Sequence, residues 1–145
     1  MKDLPDWQYG FALIPRTALR PNQQPYWAVA GFELDPYSYT TFMIEKGFDY
    51  YNEWIPTGKR FSIWWLKFST DQNSLIETRV YVESSNNPGS LTVLAGQWGY
   101  GQTEYLSGIF FDFESGTRPI YYIANYSGSK ITVDFVVFGV TEVII

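Results

Sequence analysis

The chain has 145 residues, of which 46% are hydrophobic and 20% aromatic; it has no cysteine, no histidine and a net charge of −5. That is one domain's length with ample apolar side chains for a core. The missing residue types exclude disulfides, thiol chemistry, Ser-His-Asp and Cys-His catalysis and a zinc site, and the acidic balance argues against nucleic-acid binding through phosphate neutralisation. No stretch of 18 apolar residues is present, so no membrane span is expected. The opening MKDLPDWQYG places acids and a proline where a signal peptide needs an apolar run, so synthesis in the cytoplasm is expected. The Asn125-Tyr126-Ser127 sequon then reads as accidental.

Residues 1–25 hold four of the eight prolines, too many for a long helix or a central strand. Trp7, Tyr9, Phe11, Leu13, Ile14 and Leu19 are nevertheless apolar, unlike a disordered tail. Two readings stand side by side. Residues 1–25 are an extended arm gripping a neighbour through Trp7, Tyr9, Phe11, Arg16 and Arg20, or they are irregular chain lying on their own domain.

Residues 26–145 read as strand after strand: PYWAVAGFEL, YTTFMIEKG, DYYNEWI, KRFSIWWLKFST, LIETRVYVES, YLSGIFFDFES, RPIYYIANYS and KITVDFVVFGVTEV. IPTGK, STDQNS, SSNNPGS, ESGTRP and YSGSK are the turns between them. No helix is expected beyond a turn near Asn73–Leu75, and no repeat is evident. The fold class is all-β: an antiparallel, jelly-roll-like sandwich of about eight strands with an extended N-terminal arm.

Alternation assigns faces. Thr78, Val80 and Val82 oppose Glu77, Arg79, Tyr81 and Glu83, as in a sheet with one wet side. Phe111 and Phe113 oppose Asp112 and Glu114; Ile131, Val133, Phe135 and Val137 oppose Thr132, Asp134 and Val136, with Phe138 and Val140 on that second face. GKRFSIWWLKFST, residues 58–70, breaks the rule. Phe61, Ile63 and Trp65 lie on one side and Trp64, Leu66 and Phe68 on the other. One set should fill the sandwich, and the arm or a sibling subunit should cover the other, with Trp64 or Trp65 at a subunit contact.

Asp112 and Glu114 share a face, with Asp134 as a possible neighbour. Paired carboxylates hydrolyse glycosides and acidic clusters bind calcium. Charges at i and i+2 also arise from solubility alone, and no loop has the Asp and Asn density of a calcium site. Neither an enzyme nor a cofactor or metal is expected. GQWGYGQ, residues 96–102, reads as a loop in which glycines alternate with Trp98 and Tyr100. It folds back on the core, or makes a protein contact, or binds sugar by ring stacking with Gln97 and Gln102 on hydroxyls.

The pieces IPTGKRFSIWWLKFST, IETRVYVES and FESGTRPIYYIANYSGSKITVDFVVFGVTE, within residues 55–142, resemble small β-sandwich proteins of viral particles, chiefly tailed-phage decoration and head-associated proteins. The resemblance implies a jelly-roll-like sandwich, a symmetric homo-oligomer (often a trimer) and a structural role in the virion, bound to a capsid protein. It carries over no functional residue. The alternative is a carbohydrate-binding or receptor-binding module using Trp98 and Tyr100.

Overall fold

The computed structural model describes residues 19–43, 54–106 and 111–144. Nine strands run in order: β1 (Gln23–Leu34), β2 (Tyr39–Phe42), β3 (Lys59–Thr70), β4 (Leu75–Ser84), β5 (Leu91–Tyr100), β6 (Gln102–Tyr105), β7 (Phe111–Phe113), β8 (Thr117–Asn125) and β9 (Ile131–Val143). Among the described residues there is no helix. The strands form two antiparallel sheets, so the molecule is an all-β sandwich. The five-stranded sheet runs β1-β9-β3-β6, with β7 also on β3; the four-stranded sheet runs β2-β8-β4-β5. β1 and β2, β9 and β8, β3 and β4, and β6 and β5 occupy matching places in the two orders, so the chain crosses between sheets at each of these steps.

The core mixes aliphatic side chains with a cluster of aromatic rings. Phe42 lies 5.0 Å from Phe32, 5.2 Å from Phe135 and 5.6 Å from Tyr121 between ring centroids, and Tyr121 lies 4.6 Å from Phe135. Such pairs are worth ~0.5–1.5 kcal/mol each beyond the area they bury. One polar cluster sits inside. The Thr78 hydroxyl lies 2.7 Å from Thr103 Oγ1 and 2.9 Å from the Tyr105 hydroxyl, and Tyr105 donates to the Thr78 carbonyl at 3.0 Å. Burial leads the causes that push the Tyr105 phenol above its ordinary value.

Asn125 is also fully engaged. Its Nδ2 donates to the carbonyls of Asp35 and Ser129, and its Oδ1 accepts from the Ser127 amide and hydroxyl. With 1% exposure, the asparagine of the sequon ties the β1–β2 turn to the β8–β9 turn.

Several sequence expectations change. β1 begins at Gln23, inside the span assigned to the arm, and pairs with β9 from Glu142 inward. Trp7, Tyr9, Phe11 and Arg16 lie outside the described residues; Arg20 is exposed at the turn that leads into β1, where its carbonyl accepts from the Gln23 amide. β5 is a whole strand that the sequence reading missed. The two-sided stretch in β3 has an internal cause. Ile63 pairs with Gly139 but Trp65 pairs with Phe138, a register shift at Trp64. The bulge inserts one residue and moves the core face from odd to even positions. Phe61, Ile63, Leu66 and Phe68 are therefore all buried inside, at 1% exposure or less. Neither of the two sets expected from strict alternation fills the core.

Candidate functional site

The alternation of LIETRVYVES sends Glu77, Arg79, Tyr81 and Glu83 to the outer face of the four-stranded sheet. That face was expected to be wet, yet Glu77, Tyr81 and Glu83 are only 6–8% exposed. Neighbouring strands explain this. β8 sets Tyr122 beside Arg79 and Arg118 beside Glu83, and β5 sets Trp98 beside Glu77. Arg79 donates from Nε and Nη2 to Glu77 Oε2 at 3.0 and 2.8 Å and from Nη1 to the Tyr81 hydroxyl at 2.9 Å. Its guanidinium lies 4.6 Å from the Tyr122 ring centroid, a cation–π contact. Tyr126 donates to Glu77 Oε1 at 3.0 Å, and Trp98 stacks on Tyr126 at 4.8 Å. Tyr39 extends the row at 5.8 Å from Tyr122.

The bonds to Tyr81 and Glu77 hold the Arg79 guanidinium well above its ordinary value. The bond to Glu77 likewise raises the Tyr126 phenol. This aromatic and ionic lattice was hidden from sequence reasoning because its members lie on four strands and one turn. The spacing Glu77-Arg79-Tyr81-Glu83 was its visible trace.

The GQWGYGQ segment is not a loop. It is the end of β5, a turn at Gly101 (φ +76°) and the start of β6. Trp98 and Tyr100 point outward and are 59% and 66% exposed. Gln97 points the other way. Its Nε2 donates to the Glu104 carbonyl at 2.7 Å and its Oε1 accepts from the Glu104 amide at 3.2 Å, so the side chain acts as one rung between β5 and β6. Gln102 is exposed and pairs with Ser69. The four residues therefore do not converge on one site.

The outer face of the five-stranded sheet carries Trp64 and Trp65, both half-buried. Trp64 meets Phe138 edge-on at 6.3 Å, and Trp65 Nε1 donates to Glu104 at 2.6 Å. Phe138 and Val140 on this face are 7% and 3% exposed, so it is covered ground.

The three carboxylates do not gather either. Asp112 pairs with Ser62 and accepts from its hydroxyl at 2.6 Å; Glu114 lies 3.6 Å from Arg60. Asp134 pairs with Ser69, seven positions along β3 from Ser62, which is about 20 Å at strand rise. Among the described residues no three carboxylates converge as metal ligands would. A hollow of about 460 Å³ between β1 and β2, lined by Phe32, Leu34, Tyr39 and Phe42, contains none of the three.

No family model matches the chain, and no curated protein is significantly similar to it. Among solved structures it is similar to a chain of the acidic stable capsid structure of Helicobacter pylori bacteriophage KHP30. That match has 13% identity and a TM-score of 0.37, and covers 80% of this chain and 92% of that one. It is also similar to the crystal structure of the decameric BFDV capsid protein, with 12% identity, a TM-score of 0.36, and coverage of 83% and 97%.

Proposed function

We propose that the chain is a structural protein of a viral particle, a capsid decoration protein or minor capsid subunit. It acts as a symmetric homo-oligomer through protein–protein contacts with other virion proteins, and it is not an enzyme. The observation that carries this reading is the strand order. Two four-strand series in which sequence neighbours hold matching places in opposite sheets agree with the double Greek key of a jelly roll, an architecture shared by viral capsid and lectin domains, and this agreement supports the reading. Architecture alone does not separate the two, and the site must choose between them. A sugar site needs a stacking ring with free polar groups beside it. Trp98 supplies the ring, but Gln97, Glu77 and Arg79 already spend their polar atoms on Glu104, on one another and on Tyr126 and Tyr81. The arrangement therefore favours a structural surface over the carbohydrate-binding alternative.

Immunogold electron microscopy with an antiserum to the full chain tests the reading. Intact particles purified from the source culture should carry label. Particles that are free of label, with the chain found only in the soluble fraction, would remove it.

A further inference from the structure

β5 is the last strand of the four-stranded sheet, and among the described residues no strand pairs with its far side. An open edge offers unpaired main-chain groups to any second strand, and proteins usually protect it by shortness, charge or proline. The other edges here are protected in those ways. β2 has four residues, β6 is equally short and carries Glu104, β7 has three and carries Asp112, and β1 carries Pro25 and Glu33. β5 has ten residues, no proline and no charge, with a single bulge at Leu94 that leaves Ala95–Tyr100 regular. Five of the twelve exposed large apolar residues among those described lie on it: Leu91, Val93, Leu94, Trp98 and Tyr100.

Two features identify what fits this edge. The first is charge. The chain carries −5, so copies of it repel one another, yet from Ser84 to Thr103 there is no charged residue, the longest such stretch in the sequence. A second copy can approach here without bringing like charges together. The second is Gly96. Its own fold does not require a glycine, since φ is not positive and an added Cβ would meet only the Thr78 carbonyl and Arg79 Cγ at ordinary contact distances. Glycine weakens a strand interior and often marks the close approach of another backbone. Gly96 lies on the same outer face as Trp98, two positions away, so a two-fold pairing centred on Gln97 sets Trp98 opposite the partner's Gly96. Large meets small on both sides of the axis.

We infer that β5 is a self-association edge: two copies pair antiparallel through Ala95–Gly99, joining their four-stranded sheets into one of eight strands. Tyr100 then faces the partner's Leu94, and the bulge ends the paired run. This contact is two-fold, unlike the trimer that the sequence resemblance implies, and it stands whether or not the chain belongs to a particle.

The test is sedimentation equilibrium of the full chain from micromolar to millimolar concentration, beside Gly96→Glu. That variant fits the monomer and adds a negative charge where Trp98 of the second copy would lie. The expected result is a reversible dimer that Gly96→Glu weakens at least tenfold, with unchanged circular dichroism. The cysteine-free chain permits an independent measurement. Directly opposed residues of an antiparallel pair have Cα atoms ~5 Å apart, within disulfide reach, so Gln97→Cys should oxidise to a covalent dimer much faster than Val29→Cys on β1. A monomer throughout, a dimer indifferent to Gly96→Glu, or faster cross-linking at position 29 would each overturn the proposal.

Discussion

Glu83 shows how a single charged side chain is held with little of its surface open to water. Arg118 Nε donates to Oε1 at 2.8 Å, the Gly89 amide donates to Oε2 at 2.7 Å, and the Arg118 guanidinium lies 3.9 Å from the Trp54 ring. Burial alone pushes the Glu83 carboxyl up; the Gly89 amide and Arg118 outweigh it and hold the carboxyl below the usual range. The bond from Gln23 and the charge of Arg60 lower Glu142 in the same direction. As pH falls, the unfolded chain takes up these protons first, near an ordinary glutamate value of about 4.3. The stability these carboxylates contribute is therefore complete above that pH and is lost as pH falls through the lower folded-state value. Urea midpoints should drop on acidification below about pH 4.5. Glu83→Gln should lower stability at neutral pH by ~1–3 kcal/mol and flatten part of the acid slope. An unchanged slope in the variant would mean that Glu83 does not titrate as described.

Among the elements, β3 is the most instructive. The bulge at Trp64 lets one strand supply four core residues and still present two tryptophans outward. Its partner adapts to it, because a Cβ on Gly139 would collide with the Ser62 carbonyl and crowd the Phe61 ring. Gly139→Ala should therefore cost several kcal/mol, on the order of 3–5, far more than a strand alanine normally would. A thermal melt within a degree or two of the parent would contradict the close approach. β3, β4, β8 and β9 were legible in sequence to within a residue or two because β-branched and aromatic residues alternate between clear turns. β5 was not, because Gly96, Gly99 and Gly101 read as loop signals and its outward residues are as apolar as core ones. The bulge was illegible because alternation assumes a constant phase. The lattice around Arg79 depends on register between strands, which no single segment encodes.

For the whole molecule, the strand order governs how it forms. Few strands pair with their sequence neighbours; β1 must find β9, and β3 must find β9 and β6. Chain closure over such distances precedes most of the reward, so refolding should fall in the range of milliseconds to seconds seen for β-sandwiches. Stopped-flow tryptophan fluorescence measures this directly, and a microsecond relaxation would require more local structure than the nine strands among the described residues provide.

The pairing of first strand with last has a mechanical consequence. β1 and β9 run antiparallel with Gln23 opposite Glu142, so the chain enters and leaves the described fold at the same end of that ladder. Tension applied between the two ends does not shear the ladder, in which case all its hydrogen bonds would share the load. It peels the strands apart one rung at a time, beginning at Gln23, where the Asn22 and Gln23 side chains reinforce the seam by donating to the Val143 carbonyl and the Glu142 carboxylate. A partner that clasps this end of the sandwich would guard the one place from which the fold unzips.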